Sequence, residues 1–349
     1  MARTNATDAS ASGAARTNPT HSNGTGASSP GASSPGRNGT GASSPGARRP
    51  RTGVNRTRPS RRRPAHSSAS EARGASRWVV LAVLVLLALY AVGPLWWLLV
   101  AATKNRPDLY STNGLWFADF NLFENLGALL TYQDGIFTRW LWNTVVYSGL
   151  GSIGLTAVAL AAGYGLAKYS YRGKGFTMAL IIGSFLIPGS LLIVPTFLLF
   201  TRIGLYDTIW AMILPGMFGS FSVYLAKVYA EGAVPGELID AARIDGAGEY
   251  RIFLSIGSRL LSTAGATIFL LHFVASWNTF MWPLVFLKGA EKWPVMLGLY
   301  SWLQRGTDSQ YDLTGLVITG ALVSTIPMVL LMVSMQRYWR SGVTIGSLK

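Results

Sequence analysis

The sequence predicts an all-α fold: a polytopic membrane bundle of six transmembrane helices, with a short cytoplasmic helix between the fourth and fifth. Three observations point there. Half of the 349 residues are hydrophobic and only 13% are charged, against about 25% charged in soluble domains. The mean hydropathy is +0.31 although the first 77 residues are almost wholly polar. Six apolar runs, each near the roughly 20 residues that a membrane helix needs, contain no Asp, Glu, Lys or Arg. A charge at mid-bilayer costs about 2.5–3.5 kcal/mol on insertion scales, so charge-free runs of this length mark spans.

The chain divides into residues 1–77 and a membrane domain over residues 78–349. The first part is built from Ala, Ser, Gly, Thr, Asn, Pro and Arg, and repeats NGTGASSPG at 23–31 and 38–46. Without Phe, Tyr or Trp before Trp78 it cannot bury enough apolar area to offset its chain entropy, so a disordered tail is expected. Thirteen arginines stand there against Asp8 and Glu71, so most of the chain's net charge of +15 belongs to this tail. The Arg48–Arg63 cluster has two readings: a solvated tail that holds the N-terminus inside, or a patch touching anionic lipid or nucleic acid. The first is preferred, and no nucleic-acid partner is expected. With no cysteine in the chain, disulfides, thiol chemistry and Cys-ligated zinc are excluded.

The six runs are 78–102, 140–167, 176–200, 208–226, 261–287 and 313–335. Lys and Arg in the links set orientation. On one side lie the tail, then Lys168, Arg172 and Lys174, then Lys227, Arg243, Arg251 and Arg259, then Arg337, Arg340 and Lys349. The alternate links hold Lys104, Arg106 and Arg139, then Arg202, then Lys288, Lys292 and Arg305. The bias places both termini in the cytoplasm of a protein of the cell membrane. Gly149, Gly151, Gly154, Ala157, Ala161 and Gly165 give the second run small residues suited to close helix packing. Pro188, Pro195, Pro215 and Pro327 free backbone groups that must be met inside a bundle or cavity.

The link between the fourth and fifth runs, YAEGAVPGELIDAARIDGAGEYRIFLSIGSRL over 229–260, differs from the others. Pro235 precedes a helix whose first turns hold Glu237 and Asp240, acidic where the helix dipole favours acid. Leu238, Ala241, Ala242 and Asp245 fall at helical spacing, and Gly246 and Gly248 supply stop or turn positions. A second amphipathic segment with Ile252, Phe253 and Ile256 then leads into the fifth run. On these residues alone, a helix docking in a groove of another protein and an interfacial connector lying on lipid weigh equally.

This link resembles the "EAA" loop of binding-protein-dependent ABC importers, here Asp240-Ala241-Ala242, Gly246 and Ile256. VPGELIDAARIDGA (234–247) is similar to the form found in permeases for sugars of the maltose type. WNTFMWPLVF (277–286) and QRYWRSGVTIGSLK (336–349) extend the resemblance over roughly 78–349. It implies a permease subunit carrying a solute, with Glu237, Leu238, Asp240, Ala241, Ala242, Asp245 and Gly246 on a coupling helix that seats in an ATPase. It also implies the partners: two copies of that ATPase, which uses ATP and Mg, a second permease subunit and an extracytoplasmic solute-binding protein. Asp240 stands for the motif's Glu with a shorter reach. Ser258-Arg259 stands for Leu-Pro, so without the bending proline a straighter lead-in to the fifth span is expected.

No G-x-x-x-x-G-K-[ST] phosphate loop and no hydrolase or metalloprotease motif occurs in the chain, so neither catalysis nor a bound cofactor is expected of it. His272, Trp277 and Asn278 are candidate translocation-path residues, and a packed or hydrogen-bonded role competes for His272. Trp282 adds an aromatic face on which a sugar could stack, although an interfacial tryptophan belt explains it equally well. A secondary transporter driven by an ion gradient is the alternative; it would call for intramembrane carboxylates or inverted repeats, which the sequence does not display.

Overall fold

The computed structural model describes residues 69–306 and 313–343, and every regular element among them is helical. Helix α1 (Ala69–Ala102) begins inside the stretch expected as tail. The Ala-rich residues ahead of Trp78 are good helix formers, so the helix starts before the apolar run does. The rest of the tail, with its Arg48–Arg63 cluster, and the last residues of the 336–349 motif lie outside the described residues.

From Trp78 to Leu99, α1 exposes apolar side chains. Its far end is held. Lys104, only 4% exposed, donates from Nζ to Thr112 Oγ1 at 2.9 Å and to the Asn113 carbonyl at 2.6 Å, next to α2 (Arg106–Ser111). Asn125 of α3 (Leu122–Thr131) donates to the carbonyls of Ala102 and Lys104 at 2.9 and 3.0 Å. The carbonyls that a helix end leaves unmet are thereby satisfied.

The axis of the bundle is α4 (Ile136–Lys168), which packs against α7 (Trp210–Gly216) and α8 (Ser220–Ala233); α5 (Lys174–Phe185) lies on α8, and α6 (Ile193–Arg202) precedes α7 in the chain. Short helices α9 (Gly236–Ile244), α10 (Glu249–Ile252) and α11 (Ser258–Leu260) lead into α12 (Ser262–Trp277). Helices α13 (Met281–Phe286), α14 (Val295–Arg305) and α15 (Leu313–Val343) complete the chain. Among the described residues, four spans are long and apolar enough to cross a membrane: α1 from Arg77, α4, α7 with α8, and α15 up to Gln336. Two bent pairs raise the number to six if each counts as one span.

Those pairs correct two expectations. The run 176–200 is not one helix: α5 and the segment from Gly189 to Arg202 meet at 93°. Pro188 lacks the N–H that a continuing helix needs, and it disfavours helical backbone at the residue before it. The lead-in to the fifth span is not straight either, for the segments on either side of Leu261 make an angle of 73°. A π-helical turn over Phe253–Gly257 and a break at the fully buried Leu261 bend it without a proline. The run 261–287 is also interrupted at residues 278–280, ahead of Pro283 in α13.

Small residues set the spacing around α4. A methyl group on Gly163 would lie 2.6 Å from the Lys227 amide nitrogen, and one on Gly154 would lie 2.6 Å from Met217 Cγ. Backbones of α4 and α8 therefore touch directly. Gly149 and Gly165 face open space, so only part of the small-residue pattern in the sequence marks the interface. The N-terminal end of α4 is stitched to residues 290–295. Trp140 Nε1 donates to the Ala290 carbonyl at 2.7 Å and the Tyr147 hydroxyl to that of Lys292 at 2.9 Å. Thr144 Oγ1 accepts from the Val295 amide at 2.8 Å. Trp140 and Trp302 pack ring against ring at 4.7 Å in a core with Phe137, Leu129 and Leu313.

At this same end, Asp207 in the link between α6 and α7 takes left-handed backbone (φ 57°). Its carboxylate accepts from Lys292 Nζ at 2.7 Å and from the Lys288 and Gly289 amides at 2.9 and 3.2 Å. The bond from Lys292 holds the carboxyl below its usual range, against a smaller opposing effect of burial. A depressed folded-state pKa contributes stability above the ordinary Asp range near pH 3.9, and this is lost as pH falls through the lowered value.

Two outcomes follow from this packing. Replacing Gly163 with Ala costs about 1–3 kcal/mol of stability, whereas Gly149→Ala is tolerated; thermal unfolding of the detergent-extracted protein separates them. Asp207→Asn, which keeps the residue's tolerance of left-handed backbone, lowers the melting temperature at neutral pH. The deficit relative to wild type shrinks as pH falls below about 4, and a melting series across pH reads it.

Candidate functional site

The short-helix segment sits at the C-terminal end of α4. Helix α9 follows Pro235 and buries one residue, Ile239, 3% exposed, against Tyr164, Ala230, Val234, Ile252 and Leu261. Its closure is a Schellman motif: the Ala247 amide donates to the Ala242 carbonyl at 2.9 Å and the Gly246 amide to that of Arg243 at 3.0 Å. Gly246 takes φ +79°, a conformation costly for any residue with a Cβ. The turn allows α10 to double back, with Ala242 and Ala247 tucked against the body of the bundle.

Of the residues expected on the coupling face, Glu237, Leu238, Asp240, Ala241, Asp245 and Gly246 are exposed, and Ala242 is half-buried. Ile244, Tyr250 and Leu254, at 87%, 89% and 67% exposed, extend this surface beyond the sequence-predicted set. Asp240 accepts a bond from Arg243 Nη1 at 3.1 Å, an exposed pair that adds little stability.

A polar brace that sequence reasoning missed aims this segment. Arg243 donates from Nε to Glu249 Oε1 at 2.7 Å, and the Tyr169 hydroxyl donates to Glu249 Oε2 at 2.6 Å. Burial, then this bond to Glu249, pushes the Tyr169 phenol well above its ordinary value. Glu249 thus ties α9 to the residue that follows α4. The only sequence signal was an acid in the first turn of the next helix, which local dipole arguments already account for.

Near the middle of the bundle, α12 offers a second arrangement. His272 Nδ1 lies 2.9 Å from Ser152 Oγ on α4. Its ring packs beside Gly151 and Gly216, where a methyl on either would stand 3.7 and 3.6 Å from Cε1, in ordinary van der Waals contact. The same histidine lines a cavity of about 320 Å³ with Gly216, Ser276, Thr279 and Trp282. Trp282 is fixed by stacking on Phe286, centroids 4.3 Å apart at 13°, and by donating from Nε1 to the Ala211 carbonyl at 3.0 Å. Trp277 and Asn278 do not line this cavity. Trp277 is 3% exposed and stacks on Phe273, and Asn278 donates its amide back to the Val274 carbonyl at 2.7 Å.

Residues 156–344 match the family described as binding-protein-dependent transport system inner membrane component. The chain belongs to this family. The permease is 31% identical over 274 residues to the arabinooligosaccharides transport system permease protein AraQ of Halalkalibacterium halodurans, covering 78% of this chain and 96% of that one. It is 28% identical to the lactose transport system permease protein LacG of Rhizobium radiobacter, over 76% of this chain and 94% of that one. Its fold is that of a chain in the crystal structure of a bacterial ABC transporter involved in the import of the acidic polysaccharide alginate. That comparison has a TM-score of 0.68 at 23% identity and covers 79% of this chain and 99% of the other. The permease is therefore a multi-pass component of a membrane importer.

Replacing Glu249 with Gln in the permease removes the charge that holds Tyr169 and Arg243. Amide exchange over residues 236–248 becomes several-fold faster while exchange in α4 and α12 is unchanged, as hydrogen–deuterium exchange in detergent would record.

Proposed function

We propose that this permease carries a carbohydrate inward as one subunit of an ATP-binding-cassette importer, with the Glu237–Gly246 turn as its contact to a separate ATPase. The observation that carries the coupling role is the shape of that turn. One residue, Ile239, anchors it, a Schellman closure and the Glu249 brace aim it, and its outer face presents Leu238, Ile244, Tyr250 and Leu254 to whatever lies beyond. A rigidly held apolar surface rimmed by Glu237, Asp240 and Asp245 suits a helix-in-groove contact. The basic links on the same side favour a cytoplasmic position for it and for both termini.

The remaining assembly follows from that role. Two copies of an ATPase use ATP and Mg, a second permease subunit completes the path, and an external binding protein delivers the solute. The sugar transport named for AraQ and LacG supports a carbohydrate substrate. Nucleotide-driven closure of the ATPases would pull on α9, and the brace would pass that movement to α4 and, through the π-helical turn, to α12.

Two measurements test this reading. Gly246→Val abolishes ATP-dependent uptake by the whole importer while the permease still extracts as a folded protein; wild-type uptake by that variant would overturn the coupling role. Since the chain has no cysteine, Ile244→Cys supplies a single thiol. It should cross-link to the nucleotide-hydrolysing subunit, whereas deletion of residues 1–67 should leave uptake intact.

A further inference from the structure

Within a membrane span, hydroxyl-bearing side chains normally spend their hydrogen bonds on their own helix. This permease follows that rule in most places: Thr156, Thr267 and Thr325 each donate to the carbonyl four residues back, at 2.7, 2.9 and 2.8 Å. Exceptions among the described residues are Ser148 Oγ in α4 and Thr319 Oγ1 in α15, buried without a partner, and the cavity beside α12, where several unmet groups share one space. Among the described residues neither Ser276 Oγ nor Thr279 Oγ1 has a hydrogen-bond partner, and His272 bonds only through Nδ1, which leaves Nε2 unmet. All three side chains line one cavity of about 320 Å³. Unmet polar groups inside a membrane domain are costly, and an intramembrane ionisable residue such as His272 marks a functional site by default.

The chemistry of the lining selects the ligand. No Asp, Glu, Lys or Arg lines the cavity, which disfavours a metal ion, an anion or an amino acid as occupant. Two hydroxyls that both donate and accept, with an imidazole nitrogen beside them, match the mixed donor and acceptor pattern of adjacent sugar hydroxyls. Opposite them Trp282 presents a broad apolar ring. Phe286 covers one of its faces and its N–H is already spent on Ala211, so the ring can offer only apolar contact. The volume stands at the lower end of the range for small-molecule sites, about 300–1,000 Å³, and suits one sugar ring rather than a chain.

We propose that His272, Ser276, Thr279 and Trp282 form a saccharide subsite within this subunit, which grips one neutral sugar ring as the solute passes the bundle. The proposal rests on the carbohydrate reading of the importer. His272 takes its place there because it lines the cavity with Nδ1 already bonded to Ser152, which leaves Nε2 for a ligand.

The test uses the complete importer with cysteine-free partner subunits and three radiolabelled probes: arabinotriose, lactose and glycerol 3-phosphate. Thr279→Cys introduces this chain's sole thiol into the cavity, and its labelling by a charged methanethiosulfonate is timed with and without each probe. A saccharide that the importer transports should slow labelling about tenfold at some ten times its Kd, and His272→Gln should remove most of that protection. Should the Thr279→Cys complex fail to assemble, Ser276→Cys gives the same readout. Transport of a saccharide probe with an unprotected thiol overturns the subsite and leaves the carbohydrate reading standing. Transport of glycerol 3-phosphate alone, or of no probe, overturns both.

Discussion

Direct backbone contact between α4 and α8 is the constraint on which the rest of the bundle depends. At Gly163 there is no room even for a methyl group beside Ala226 and Lys227. In a bilayer, lipid tails are as apolar as the helices, so burial of oily side chains offers little drive for association. Close van der Waals contact between small residues takes over that task. With α4 locked to α8, both of its ends become fixed reference points. One is stitched to residues 290–295 through Trp140, Thr144 and Tyr147, and the other meets the α9–α10 segment through Tyr164 and Tyr169.

The two candidate sites depend on that frame in different ways. The α9 turn is held from below by Ile239 and from the side by Glu249, so its exposed face has a set direction although it stands outside the bundle. The α12 cavity is shaped by His272, fixed by its bond to Ser152, and by Trp282, clamped by stacking and a hydrogen bond. Between them run the π-helical turn and the 73° bend at Leu261. Such turns concentrate at functional positions, since they store an alternative hydrogen-bond register in otherwise regular helix. This one lies on the shortest covalent route from α9 to the cavity.

What reached the surface of the sequence was whatever depends on composition or on neighbours a few residues apart. The apolar runs, the Pro-led helix at 236–244, its Gly246 stop and the acidic first turn were all legible, because each follows from local backbone physics. The bends were only half legible. Pro188 accounts for the break in the third span once the structure shows it, but the bend before α12 arises from a π-helical turn and a buried Leu261, for which no single residue type is diagnostic. Likewise Trp277 reads as a ring for a sugar until packing buries it on Phe273, while Trp282, five residues on, keeps its place at the cavity.

The sequence by itself determined that this is a helical membrane protein with a structured loop before its fifth span. Charge-free length and short-range spacing are properties of a linear chain, and the membrane punishes every exception. Only the tertiary structure decided which glycines bring helices together, that Glu249 bridges Arg243 and Tyr169, and that His272 meets Ser152 beside the cavity. Those facts join residues as much as 120 positions apart, as in the pair Ser152 and His272. No local pattern encodes that distance, which is fixed when α4, α8 and α12 close on one another.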